Sequence, residues 1–200
     1  MTVIGVTGPS GAGKSEISRI FSKKYGFHVL IADDIYHDIV SAPSECLDEI
    51  KENFGETVIT ENNSLDRRAL SKLVFGEENR DKLELLNKIT HKHVVNTIKD
   101  IISSYKSEKA VFIIDAPLLI EAGLHLMCDF SLCVLADKNI RAQRISSRDN
   151  ITLESALNRI NSQKEDSFYI ENTDYCIENN EGLQSVDQRV FRILSERRVI

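Results

Sequence analysis

Residues 8–15 have the sequence Gly-Pro-Ser-Gly-Ala-Gly-Lys-Ser and directly follow an apolar run at residues 3–7. This spacing fits G-x-x-x-x-G-K-S, a loop whose backbone N–H groups surround a polyphosphate at the N-terminal end of a helix. Helix-compatible residues follow at positions 16–25. The pattern therefore predicts a strand, a phosphate-binding loop and a helix in that order, which favours a fold built on a central sheet.

The last residues of this loop carry specific chemistry if the loop binds phosphate. Lys14 would reach the β- and γ-phosphates of a nucleotide, and the Ser15 hydroxyl would ligate Mg²⁺. The expected nucleotide-binding positions also include Gly8, Gly11, Ala12, Gly13 and Glu16. The alternative is a glycine-rich turn that matches the motif by chance, and the flanking strand and helix favour phosphate binding over it.

Composition excludes several classes of partner. Lys and Arg number 25 against 31 Asp and Glu, for a formal charge of −6, which argues against a general nucleic-acid surface. The 200 residues are enough for one globular core with small inserted lobes. No apolar segment approaches the roughly 20 residues that span a bilayer, so we expect a cytoplasmic protein without a membrane partner. The 4 cysteines lack C-x-x-C spacing and predict neither a zinc site nor a disulfide framework.

Two acids, Asp33 and Asp34, follow the second apolar run, which covers residues 28–32. In an open parallel sheet, ligands bind outside the carboxyl ends of the strands, so Asp33 would face the same cleft as the phosphate loop. The alternative is that Asp33 or Asp34 caps the next helix, a position that Asp favours. One of the two can cap while the other faces the substrate, and we expect Asp33 to have the functional role.

Residues 35–105 have a predominantly helical pattern that is broken near Pro43 and at residues 55–64. This stretch is too long for a simple crossover and predicts an inserted helical lobe that holds a second substrate. Arg67 can bind a phosphate there, although exposed arginines on helices are more often only solvated. His91 and His93 are two residues apart and do not share a helical face, so they do not predict a metal site.

A continuous apolar run at residues 110–115 ends in Asp115 and is followed by a turn through Pro117 and Leu118. Asp115 can hold a metal through water or orient an acceptor, and the alternative is a carboxylate that caps the strand end. Further strands are predicted at residues 130–135 and 172–177, with a closing helix at 182–194. The alternation predicts an α/β fold with a five-stranded parallel sheet flanked by helices.

Residues 138–164 are basic within an acidic chain, with six basic and two acidic side chains. Arg141, Arg144 and Arg148 recur at the spacing of one helical face. Such a face is usually only solvated, but arginines on a lid near a phosphate loop can neutralise a transferring phosphoryl group. We therefore expect a lid at about residues 138–164 in a single domain that covers residues 1–200.

Two classes of phosphate-loop protein remain, a small-molecule kinase and a switch-type nucleotide hydrolase. A guanine-nucleotide switch is expected to contain N-K-x-D, and the chain has no such sequence. The helical insertion and the basic segment favour a transferase that closes around two substrates and excludes water.

The order of these motifs resembles the dephospho-coenzyme A kinase family. The Asp-x-Pro-Leu-Leu-x-Glu stretch from Asp115 and the Leu-Asp-Arg stretch that ends at Arg67 are its most specific features. The other matching positions are the phosphate loop, Ala32-Asp33, Leu70, Val74-Phe75, Ile89-Thr90-His91, Arg144, Arg148-Asp149, Arg159-Ile160, Gln163, Asp174, Ile177 and Asn179.

The resemblance implies ATP-dependent, Mg²⁺-assisted phosphorylation of the ribose 3′-hydroxyl of dephospho-coenzyme A to coenzyme A. Asp33 would be the base or orienting group, Lys14 and Ser15 would hold ATP and Mg²⁺, and Arg144 and Arg148 would belong to the lid. The Asn179 loop would approach the adenine. The acceptor side would include Arg67, His91, Asp115, Pro117 and Leu118. We expect a monomer or a small homo-oligomer.

Ile31 stands where the family has the first acid of Asp-Ala-Asp, and Glu16 follows the motif serine in place of the usual Thr. We expect Glu16 to point to solvent. These departures leave two alternatives open. One is a nucleoside or nucleotide kinase of the same fold, and the other is a nucleotide-binding paralogue with weakened catalysis.

Overall fold

A computed structural model describes residues 1–41, 43–107 and 109–200. Within these residues, five strands form one sheet in the order β2-β3-β1-β4-β5. Strand β1 pairs in parallel with β3 and β4, and β4 pairs in parallel with β5. The bounds are β1 Thr2–Thr7, β2 His28–Ile31, β3 Val111–Asp115, β4 Phe130–Leu135 and β5 Tyr175–Glu178. The predicted five-stranded parallel sheet is confirmed.

Helices connect the strands and flank the sheet. Their bounds are α1 Lys14–Tyr25, α2 Ala32–Ser41, α3 Glu45–Phe54, α4 Arg67–Val74, α5 Arg80–Ser104, α6 Lys138–Asp149, α7 Leu153–Asn161, α8 Asp166–Glu171 and α9 Leu183–Glu196. The helix after the phosphate loop begins two residues earlier than the sequence pattern predicted. Strand β2 ends at Ile31, one residue earlier than predicted, because Ala32 already belongs to α2.

The last strand begins at Tyr175, whereas the sequence pattern predicted a strand from residue 172. Side-chain hydrogen bonds occupy the polar residues before it. The Thr173 hydroxyl donates to Tyr169 O at 2.8 Å, and Asp174 Oδ2 accepts from the Ser131 N–H at 2.8 Å. These side-chain bonds, one local and one to a residue far away in the chain, take the place of ladder pairing at residues 173 and 174 and delay the start of the strand.

The chain divides into two compact units, which are residues 1–30 with 107–200 and residues 31–106. In the first, the sheet unit, apolar residues of the central strands pack with those of α1 and α9. This core includes Ile4, Val6, Ile17, Phe21, Leu132, Val134, Val186 and Val190. Burial of these side chains fixes α1, and with it the end of the phosphate loop, against the sheet.

The second unit, the helical unit, contains α2 to α5. Its core includes Val40, Leu47, Ile50, Val58, Leu70, Val74 and Ile89. Asp66 caps α4 by accepting hydrogen bonds from the Arg68 and Ala69 N–H groups at 3.0 and 2.9 Å. The unit, at residues 31–106, contains the whole of the insertion predicted at about 35–105, whose role in substrate binding stays a prediction. Among the described residues, no helix is long and apolar enough to cross a membrane.

Candidate active site

The phosphate loop adopts a backbone conformation that favours glycine at several positions, of which Gly8 and Gly13 are the most crowded. Gly8 and Gly13 have φ values of +139° and +104°. A Cβ atom on Gly8 would lie 2.2 Å from Val134 O, and one on Gly13 would lie 2.2 Å from Asn179 Nδ2. The loop therefore packs directly against β4 and against the segment after β5, with no space for a side chain at either position.

Lys14 begins α1 and folds back over the loop. Its ammonium donates a hydrogen bond to Gly8 O at 2.7 Å. Ser15 is exposed in the first turn of the same helix. The Glu16 side chain is 44% exposed and forms an ion pair with Arg19 at 2.8 Å, so its charge lies at the helix surface, as expected. The helix thus presents a cation and a hydroxyl at the end of the loop.

Arg144 ties three segments of the site together. Its Nη1 donates to the carbonyl oxygens of Gly11 and Ala12, both at 3.2 Å, and its Nη2 donates to Asn179 O at 2.9 Å. Asn179 is only 4% exposed and donates through Nδ2 to Ala12 O at 2.9 Å. These carbonyl acceptors are neutral, so they do not cancel the positive charge that Arg144 places beside the loop.

Arg141, three residues earlier on α6, is also held at the phosphate loop. The residue is 4% exposed, and its Nε donates to Ser10 O at 3.0 Å. Its Nη2 donates to Gln163 Oε1 at 2.8 Å, and Nη1 lies 3.4 Å from Asp166 Oδ1. Burial lowers the pKa of Arg141, and the Asp166 carboxylate opposes this effect. Arg141 lies on the basic face predicted from the sequence, but it was not among the predicted site residues.

Arg148 occupies a different environment from the other two arginines of this face. It is exposed and donates to both carboxylate oxygens of Asp149, at 2.7 and 2.9 Å. The hydrogen bond to Asp149 raises the pKa of Arg148, and the same bond lowers the pKa of Asp149. Asp149 also accepts from Arg159 at 2.6 Å. The structure therefore brings Arg144, but not Arg148, to the loop, and the lid role of Arg148 stays a prediction.

Hydrogen bonds hold the end of β3 and the segment after it beside the phosphate loop. Asp115 is 7% exposed and accepts a hydrogen bond from the Ser18 hydroxyl of α1 at 2.5 Å. The Thr7 hydroxyl, at the end of β1, donates to Pro117 O at 3.1 Å, whereas the Leu118 side chain is exposed. Ser18 was not among the site residues predicted from the sequence. Its position one helical turn after Ser15 was the available signal.

Ser18→Ala is expected to lower the free energy of unfolding by about 2 kcal/mol, because the nearly buried Asp115 carboxylate would lose a hydroxyl donor. Urea denaturation of the purified variant measures this change. The matched control is Ser22→Ala, an exposed serine on the same helix, which should change stability by less than about 0.5 kcal/mol. Equal effects of the two substitutions would contradict the prediction.

The helical unit contains the remaining predicted residues. Asp33 is the second residue of α2 and is exposed, and His91 is half-buried within α5. Arg67 begins α4, where its guanidinium lies 5.7 Å from the centre of the Tyr36 ring and donates a hydrogen bond to His37 Nδ1. Arg67 is thus held by neighbours rather than only solvated. The sheet unit contains Lys14, Ser15, Asp115, Arg144 and Asn179.

The oxygen donors near the loop fit a nucleotide-bound Mg²⁺. Among the described residues there is no group of three or more His, Cys, Asp or Glu side chains that could hold a metal ion. Mg²⁺ in nucleotide sites needs only one or two protein ligands, because phosphate and water oxygens supply the others. The exposed Ser15 hydroxyl suits this role, and the Asp115 carboxylate can act through water.

Comparison with known proteins identifies the family. The dephospho-CoA kinase family profile matches residues 2–185. The chain belongs to the dephospho-CoA kinase family. It is therefore a kinase, a transferase of coenzyme A biosynthesis, as predicted. The dephospho-CoA kinase of Fusobacterium nucleatum is 39% identical over 190 residues, which cover 95% of each chain.

Solved structures share the fold of this dephospho-CoA kinase family member. TT1252 from Thermus thermophilus matches with a TM-score of 0.78 and 26% identity, over 98% of this chain and 97% of that one. The dephospho-CoA kinase from Campylobacter jejuni matches with a TM-score of 0.68 and 24% identity, over 97% and 96% of the two chains. The predicted P-loop kinase fold is confirmed.

Proposed function

We propose that this kinase transfers the γ-phosphoryl group of ATP to the ribose 3′-hydroxyl of dephospho-CoA. The observation that carries the proposal is the arrangement of Arg144, which bonds to Gly11, Ala12 and Asn179 and so places a fixed positive charge beside the phosphate loop of a dephospho-CoA kinase family member. A fixed cation at this point can stabilise the charge that develops on a transferring phosphoryl group.

The proposed reaction breaks the bond between the γ-phosphorus and the oxygen that leaves with ADP, and forms a bond between the γ-phosphorus and the 3′-oxygen. Loop N–H groups and the N-terminal end of α1 bind the phosphates, and Lys14 moves from the Gly8 carbonyl to a phosphate oxygen. Asp33 accepts the proton of the 3′-hydroxyl and returns it to solvent. Bound Mg²⁺, held through Ser15, would supply further charge neutralisation.

The acceptor is proposed to bind to the helical unit. Arg67 supports this role, because its ring contact with Tyr36 and its bond to His37 hold an exposed guanidinium at the start of α4. A guanidinium held in this way loses less conformational entropy when it binds a phosphate of the coenzyme. His91 of this unit is proposed to take part in acceptor binding as well. From the sheet unit, Asp115, Pro117 and Leu118 are proposed acceptor contacts, and Asn179 is proposed to lie near the adenine of ATP.

Turnover on a panel of acceptors tests this function. We expect ADP release from ATP with Mg²⁺ and dephospho-CoA, with kcat/KM at least about a hundred-fold above that for adenosine or AMP. Phosphorus NMR of the product should place the new phosphate on the 3′-oxygen. Higher kcat/KM on adenosine or AMP would instead show a nucleoside or nucleotide kinase. Tight ATP binding without turnover on any acceptor would show a paralogue with weakened catalysis.

A further inference from the structure

Three hydrogen bonds join Ser10, Arg141 and Gln163 in a closed ring within the sheet unit. The Ser10 N–H donates to Gln163 Oε1 at 3.2 Å, and Ser10 O accepts from Arg141 Nε at 3.0 Å. Arg141 Nη2 closes the ring by donating to the same Gln163 oxygen at 2.8 Å. The steps proposed above for phosphoryl transfer do not use Gln163.

Both partners of Ser10 sit on fixed backbone. The Gln163 N–H donates to Ile160 O at 3.1 Å, which continues the end of α7. Helices α6 and α7 share a small core of Ala142, Ile145, Ala156 and Ile160. Arg141 lies so close to the loop that a Cβ atom on Gly11 would be 2.8 Å from Arg141 O. The ring therefore joins the phosphate loop to a pair of helices that pack against each other.

Side chains hold both backbone groups of Ser10. Pro9 has no N–H group, and the Ala12 N–H donates to Pro9 O at 3.3 Å, so this turn leaves Ser10 to other partners. The bonds to its N–H and C=O groups hold the peptide planes on both sides of Ser10. The second of these planes carries the N–H of Gly11, from which the phosphate-facing part of the loop continues.

We propose that Gln163 is a positioning residue, whose side-chain oxygen orients Ser10 and Arg141 and so holds the phosphate loop in the conformation that binds ATP. The inference rests on the proposed function, because it takes ATP as the nucleotide. Gln163 acts through the loop and does not contact the reacting atoms.

Gln163→Met tests the proposal, because methionine has similar length but lacks the acceptor oxygen. Calorimetric titration with ATP and Mg²⁺ should give a Kd about ten-fold above that of the wild type. The KM for ATP should rise by the same factor, while the KM for dephospho-CoA stays close to wild type. The unfolding midpoint should fall by only about 4 °C, because the buried Arg141 guanidinium loses one acceptor. Gln188→Met, an exposed glutamine on α9, is the matched control and should leave all four quantities unchanged.

A second variant tests whether Gln163 acts through Arg141. Arg141→Lys keeps the charge but cannot bond to Ser10 and Gln163 in the same way. Because the two residues act in one ring, the double variant should bind ATP no more than about two-fold more weakly than the weaker single variant. If the losses of ATP affinity in the two single variants added up in the double variant, Gln163 would not act through Arg141.

Wild-type ATP affinity in Gln163→Met would overturn the proposal. So would a lower unfolding midpoint and a lower kcat at unchanged KM for ATP, because the side chain would then serve only stability. The ATP titration needs no acceptor. A wild-type protein that binds ATP but does not phosphorylate dephospho-CoA would therefore contradict the proposed function and still leave this inference testable.

Discussion

Asp33→Asn should reduce kcat on dephospho-CoA by about a thousand-fold, while the Kd for ATP changes by less than about two-fold. Asparagine has the size of aspartate but cannot accept the proton of the 3′-hydroxyl. Asp33 is exposed at the start of α2, so the substitution leaves no buried group without a partner. Single-turnover kinetics with saturating ATP, together with calorimetry, measure the two quantities.

The neighbouring acid provides the control for this experiment. Asp34 is also exposed in the first turn of α2, so Asp34→Asn removes the same charge from the same helix end. It should keep kcat within about three-fold of wild type. Full activity of Asp33→Asn would contradict the proposed role of Asp33 as the proton acceptor. An equal loss of kcat in both variants would assign the effect to the charge at the helix end.

Gly13→Ala should weaken ATP binding by at least about a hundred-fold, because the loop cannot keep its conformation with a side chain at this position. The φ value of +104° is unfavourable for alanine, and the new Cβ would lie 2.2 Å from Asn179 Nδ2. Asn179 cannot move aside without losing its bond to Ala12 O. Calorimetric titration with ATP and Mg²⁺ measures the loss.

Gly182→Ala separates backbone strain from the steric clash. Gly182 has a φ value of +95°, but a Cβ atom there meets nothing within 4 Å. This variant should lose about 1 kcal/mol of stability from strain and keep wild-type ATP affinity. If Gly13→Ala bound ATP as well as Gly182→Ala does, the contact between the loop and Asn179 would have no role in the nucleotide site.

The central elements were predictable because their signals are local. Apolar runs at residues 110–115 and 130–135 predicted β3 and β4, and the glycine and lysine spacing predicted the phosphate loop. The boundaries near Asp33 and Asp174 were less accurate. Ala32 joins the helix that follows it, and Asp174 bonds to Ser131, far away in the chain. Tertiary neighbours, which no local pattern contains, decide such ends.

The three arginines of α6 show which properties follow from the sequence and which follow from the tertiary structure. Their spacing by itself determined that Arg141, Arg144 and Arg148 recur along one helical face, because side-chain direction follows from helical geometry. It did not determine their partners. Arg144 bonds to loop carbonyls, Arg141 is buried against Ser10 and Gln163, and Arg148 pairs with its neighbour Asp149.

The sequence by itself determined a phosphate loop between a strand and a helix, a parallel sheet and a family resemblance, because periodicity and motif spacing act over a few residues. Only the tertiary structure decided that Ser18 donates a hydrogen bond to Asp115, that Asn179 packs against Gly13, and that Gln163 accepts a hydrogen bond from the Ser10 N–H. These contacts join residues far apart in the chain, and they form only when the packing of α1, α6 and the sheet brings them within hydrogen-bond distance.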